Sequence, residues 1–205
     1  NLIDAFLHDK DVHRVTASKV FHLNEEEVSP FQRNLAKSIN FGIIYGMGPF
    51  RFSKEVGVSM REAKEFIEKY FEIFHGVKDY IEEVKTKARS NGYVKTLFGH
   101  KRYLPYIQSK NKNLRQSEER MAVNSLIQGT NADILKKCMI AIFPELEKFE
   151  AKMLLQIHDE LIFEVKTKNI EDFTEMIKNK MENIVKLSIP LKVSISHGEN
   201  WGELK

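Results

Sequence analysis

The stretch Ser29 to Pro49, SPFQRNLAKSINFGIIYGMGP, constrains this chain more than any other. Its start carries helix-opening chemistry: the Ser29 hydroxyl can accept a backbone N–H as an N-cap, and Pro30 suits the first helical position. Gly46, Gly48 and Pro49 supply a stop. Between them Arg33, Lys37, Phe41 and Tyr45 recur at every fourth residue. Each step of four drifts by about 40° on a helix, so the row stays on one face about 18 Å long. Cations near a helix N-terminus are disfavoured by the macrodipole unless an anion offsets them. Two readings fit this pattern. In one, a triphosphate lies along Arg33 and Lys37 with its base towards Phe41 and Tyr45. In the other, a solvated charged face runs into two core aromatics.

The pattern R-x-x-x-K-x-x-N-F-G-x-x-Y-G, filled at every fixed position by Arg33 to Gly46, resembles the fingers helix of family A DNA polymerases. The resemblance implies that Arg33 and Lys37 bind the triphosphate of a deoxynucleotide and that Phe41 and Tyr45 shape its pocket. It also implies that Tyr45 and Gly46 meet the DNA. Lys37 is in addition a candidate general acid for the leaving pyrophosphate.

Further segments carry the same likeness. GYVKTLFGHKRYLP (Gly92 to Pro105) reads as two short strands around Phe98-Gly99-His100, with Lys95, Lys101 and Arg102 among aromatics. It is similar to the family's hairpin between fingers and palm, and the resemblance implies that Arg102 contacts DNA. Glu118 to Phe143 is expected to be a helix in which Arg120, Asn124 and Gln128 step by four along one face. Alone, that row is an exposed polar face. The string ERMAVNSLIQGTNADILK matches a family block, which implies that the three contact the minor-groove side of the primer–template end. Acceptors there are nearly alike in all base pairs, so such contacts test pair geometry rather than sequence.

MLLQIHDELIFEV (Met153 to Val165) alternates as a strand–turn–strand unit, with Met153, Leu155 and Ile157 on one side. His158, Asp159 and Glu160 sit at its tip. Alone they are a polar turn; as hard oxygen donors the carboxylates also suit Mg²⁺. By resemblance to the family's palm, Asp159 would ligate catalytic metal, Glu160 would support the site, and His158 would approach the primer terminus. Two Mg²⁺ ions are then expected in a complete site. No zinc set is expected, because no further His or Cys stands at ligand spacing.

The remaining chain reads as scaffold. Helices are expected over Asp11 to Phe21, from Ser59 with Glu62 as a capping box, over Val77 to Arg89, and over Ile170 to Lys186. His13 is read by default as a surface residue, although it can reach a phosphate. Phe50 to Val56 is read as a short amphipathic turn, 106–117 as a polar loop, and Leu191 to Ser196 as a strand. The fold class is therefore α+β: a mostly helical fingers part over 1–105, then part of an antiparallel-sheet palm over 106–205.

Net charge is only +3, but Lys85 to Arg120 holds ten Lys/Arg against two acids, a local excess of +8 that suits phosphate contact. The single cysteine allows no internal disulfide, and no apolar run has membrane length. A reducing, cytoplasm-like setting is expected, bacterial or organellar. The chain begins with Asn1 and contains no D-Y-S-x-x-E string, which in the family carries another metal-binding Asp. It is therefore expected to be a piece of a longer polymerase and inactive alone. Partners expected for the parent are primer–template DNA and deoxynucleoside triphosphates. Rival readings are a single-subunit RNA polymerase relative, which shares K-x₇-Y-G, and a non-catalytic DNA-binding module.

Overall fold

The computed structural model describes residues 2–204, which form two compact units divided after Thr130. In the first, α1 (Leu2–Leu7), α2 (Val12–Phe21), α3 (Pro30–Ile44), α4 (Pro49–Val56), α5 (Met60–Ile73) and α6 (His75–Asn91) precede a small hairpin. That hairpin pairs β1 (Tyr93–Lys95) antiparallel with β2 (Lys101–Tyr103). The helix α7 (Lys112–Ile142) starts in the first unit and ends in the second. The second unit continues with β3 (Lys152–Ile157), β4 (Glu160–Glu164) and α8 (Ile170–Glu182). The α+β class of the sequence reading is the class found.

Local chemistry sets most helix starts. Asp11 caps α2, its Oδ1 accepting from the backbone N–H groups of His13 and Arg14 at 3.0 and 3.1 Å. Ser29 caps α3 in a reciprocal box with Gln32, and Pro30 occupies the first turn. Ser59 and Glu62 do the same for α5.

The inner faces of α2 to α5 close on Val20, Leu35, Ile39, Ile43, Phe52 and Phe66. Phe52 is fully buried and stacks on Phe66 with ring centroids 5.4 Å apart. Tyr70 lies in the same core, where burial pushes its hydroxyl pKa up to about 12. A second cluster ties α6 and β1 to α7 through Val84, Ala88, Val94, Leu104, Ala122 and Val123. The second unit has its own core, with Cys138 and Ile142 of α7 against Phe149, Phe173 and Ile177.

Several boundaries differ from the sequence reading. Residues 49–56 form a helix rather than a turn, stopped by Gly57 in the left-handed region. The supposed loop 106–117 already contains the start of α7, because Asn111 Oδ1 accepts from the N–H groups of Asn113 and Leu114. The expected strand 191–196 joins no ladder among the described residues; the Val193 N–H donates instead to Glu182 Oε1 at 3.0 Å. In β3 the alternation breaks at a bulge between Met153 and Leu155, leaving Leu154 and Leu155 50% and 45% exposed. No described helix is long and apolar enough to cross a membrane.

Candidate functional site

The four residues of the α3 row stay together on an outward face. Arg33, Lys37 and Phe41 lie in the helix and Tyr45 is its C-cap. Phe41 is 49% exposed and Tyr45 42%, so the reading in which these rings belong to the core fails. Inward, the same helix buries Leu35, Ala36, Ile39 and Ile43. The apolar positions between the row residues therefore hold the row against the core and turn it to solvent.

One anion that offsets the N-terminal cations is already in the chain. Arg33 Nε donates to Asp11 Oδ2 at 2.6 Å, across from the first turn of α2. Burial pushes the Asp11 carboxyl up, but the bond to Arg33 and the backbone N–H groups of Arg14 and His13 outweigh it and hold it below its usual range.

His13, read as a surface residue, is half-buried beside this pair. Its ring lies 5.6 Å from that of Phe41, and its Nδ1 is 3.1 Å from Asn40 Nδ2. Asn40 Nδ2 also donates to Thr16 Oγ1 at 3.0 Å, while the Thr16 hydroxyl donates to Val12 O at 2.7 Å. With the amide N–H aimed at Nδ1, the neutral ring carries its proton on Nε2, as assigned from this network. Burial pushes the His13 pKa down; Arg33 and Lys37 add to that and Asp11 opposes it. Asp11, His13 and Asn40 are thus members of the face that spacing along α3 does not reveal. The available signal was Asp-x-His across the start of a short helix.

The α7 row forms a second face of the first unit. Arg120 and Gln128 are exposed and Asn124 is half-buried. Among the described residues, the buried side-chain polar atom left without a partner is Asn124 Oδ1. An unpaired buried amide oxygen costs about 1–3 kcal/mol, so it calls for a donor.

The α3 row and the α7 row meet at Gly46, whose φ is +66°. A Cβ at that position would lie 2.5 Å from Arg120 Cγ and 2.8 Å from its Cδ. Gly46→Ala is expected to cost about 1–2 kcal/mol from the left-handed backbone alone and to displace Arg120. A Tm lower by roughly 2–8 °C checks this; an unchanged Tm would mean that both the turn and Arg120 yield freely.

Arg102 is exposed on β2 with Nη2 3.2 Å from Met121 Sδ of α7. Beside it Lys101 Nζ lies 4.7 Å from the Tyr93 ring centre and Lys95 Nζ 5.7 Å. Among the described residues these two lysines pair with the Tyr93 ring and not with a carboxylate. Elsewhere in the basic segment, Arg89 and Arg115 are paired to Glu119.

In the second unit Ile157 pairs with Glu160, so His158 and Asp159 alone make the turn between β3 and β4. His158 has φ +52°, a left-handed conformation that non-glycine residues rarely take. Its C=O accepts from Gln156 Nε2 at 2.7 Å. Asp159 and Glu160 are exposed. The two carboxylates are hard oxygen donors of the kind that suit a cation such as Mg²⁺. The two carboxylates do not complete a shell: among the described residues no group of three His, Cys, Asp or Glu side chains can hold an ion.

Comparison with known proteins extends over the whole chain. The sequence model described as DNA polymerase family A matches residues 1–203. The chain is 45% identical over 207 residues to DNA polymerase I of Bacillus caldotenax, covering 100% of this chain and 24% of that protein. Against the thermostable DNA polymerase I of Thermus aquaticus it is 43% identical over 201 residues, 98% of this chain and 24% of that one. DNA polymerase I of Pseudomonas aeruginosa is 45% identical over 204 residues, 98% and 22% respectively. A solved structure, the POL domain of Pol1 from M. smegmatis in complex with DNA primer-template and dNTP, superimposes with a TM-score of 0.93 at 36% identity. It covers 99% of this chain and 36% of that one.

Proposed function

Because the chain belongs to DNA polymerase family A, we propose that it supplies the fingers and the second half of the palm of a DNA-directed DNA polymerase. On this reading residues 1–105 are fingers with the connecting hairpin, 106–205 are palm, and the partners are primer–template DNA and deoxynucleoside triphosphates. The observation that carries it is the outward row Arg33, Lys37, Phe41, Tyr45, two cations followed by two half-exposed rings on one helix. The mycobacterial relative, solved with primer-template and dNTP, supports the same pair of partners.

Arg33 and Lys37 hold the triphosphate by charge-assisted bonds. Phe41 and Tyr45 flank the base and sugar, and Lys37 is the general acid that protonates the departing pyrophosphate. Gly46 permits the close approach of Tyr45 and Arg120 to the DNA. Arg102 meets phosphate; Arg120, Asn124 and Gln128 meet the minor-groove edge, donating their side-chain N–H groups to its acceptors. His158 lies at the primer end. Asp159 would be one ligand of Mg²⁺ and Glu160 its neighbouring support, with further ligands supplied by the palm motif that carries the family's other Asp. When bound, Mg²⁺ stabilises charge on the transferring phosphoryl group.

The test is template-directed primer extension by the complete polymerase that contains this segment, by its Arg33→Ala variant, and by the 205-residue chain alone. The complete enzyme is expected to extend the primer and the isolated chain to fail. Arg33→Ala is expected to raise KM for the deoxynucleotide by roughly 10- to 100-fold, the loss of a hydrogen bond to a charged group. No extension by the complete protein, or a KM unmoved by Arg33→Ala, overturns the reading. Extension by the isolated chain overturns its incompleteness.

A further inference from the structure

The two cations of the α3 row differ in how they are held. Lys37 is exposed and makes no ion pair among the described residues, whereas Arg33 is fixed through Nε by Asp11 at 2.6 Å. Both Asp11 oxygens are committed: Oδ2 to Arg33, Oδ1 to the N–H groups of His13 and Arg14. Among the described residues the two terminal nitrogens of Arg33 take no partner, and its guanidinium plane is set by a carboxylate anchored in the first turn of α2. That turn also carries His13, which rests on Phe41 and Asn40. A guanidinium donates in a planar fork, so fixing Nε fixes the directions in which the other nitrogens donate.

We propose that Asp11 is a positioning residue of the triphosphate site, holding the Arg33 fork ready for phosphate oxygens and locking α2 to α3 through one carboxylate. This rests on the triphosphate reading of Arg33 given above. Pre-set donors lose less rotational freedom on binding, so the contribution of Asp11 lies in nucleotide affinity and passes through Arg33 alone. The competing account is that Asp11 only caps α2. Asparagine separates the two, because it caps about as well as aspartate but carries no charge for Arg33.

The experiment is steady-state extension by the complete polymerase with Asp11→Asn, alone and combined with Arg33→Ala or Lys37→Ala. Asp11→Asn is expected to raise KM for the deoxynucleotide roughly tenfold with kcat within about twofold, the order seen when a residue that orients a binding group is lost. The Tm is expected to stay within about 2 °C. The KM effect is expected to persist with Lys37→Ala and to vanish with Arg33→Ala, the coupling that a capping role would not show. An unchanged KM, a lowered KM, or an equal effect in the Arg33→Ala background overturns the proposal. If Arg33→Ala alone leaves KM unchanged, the triphosphate reading itself fails instead.

Discussion

Asp159→Asn in the complete polymerase is expected to lower kcat by about a thousandfold, on the scale of losing one preorganised group that stabilises transition-state charge. The substitution keeps the shape of the side chain and removes its negative charge. Asp159 stands in a two-residue turn between paired strands, where His158 already holds a left-handed backbone. Asparagine tolerates turn positions well, so the hairpin should persist. Asp159 is exposed at the tip, so removing its charge leaves no buried group of the fold without a partner. Single-turnover extension with saturating nucleotide reads the chemical step, and primer–template affinity measured beside it should change by less than about threefold. A kcat within tenfold of wild type would remove Asp159 from the metal-binding role and return the tip to a polar turn.

Phe52→Ala is expected to have the largest effect on stability, about 3–5 kcal/mol. The ring is fully buried on α4 and stacks on Phe66 of α5. It shares its cluster with Ile39 and Ile43, which lie on the inner side of the helix that carries Arg33, Lys37 and Phe41. A cavity there loosens the support of the outward row, so weaker nucleotide binding should accompany the loss of stability. Hydrogen exchange at α3, α4 and α5 amides of the 205-residue chain measures the effect within the unit that contains Phe52, without assuming that both units unfold together. A loss below about 1 kcal/mol would mean that Phe66 and its neighbours close the space.

Much of the candidate site is legible in the sequence. Ser29 with Pro30, and Ser59 with Glu62, mark helix starts because a capping hydroxyl bonds a backbone N–H three residues on and proline suits the first helical position. The fourfold spacing from Arg33 to Tyr45 places those residues on one face because the helical period is a backbone property. The tip of Met153 to Val165 was placed by apolar alternation, although the bulge at Leu154 shows that alternation locates a hairpin better than it assigns faces. The start of α7 was missed because a polar stretch looks like a loop until Asn111 is seen to cap it.

Local periodicity and capping therefore determined which helices form and which residues each helix turns to the same side. Long-range packing decided the rest. It exposed Phe41 and Tyr45 instead of burying them, brought Arg120 against Gly46, and left Asn124 Oδ1 buried without a partner. It also gave Arg33 the carboxylate of Asp11, 22 residues earlier in the chain. Macrodipole chemistry can require an anion near those cations, but it does not choose among the acids of the chain. That choice depends on which helix packs beside α3, and the core formed by Val20, Leu35, Ile39 and Phe52 sets the packing.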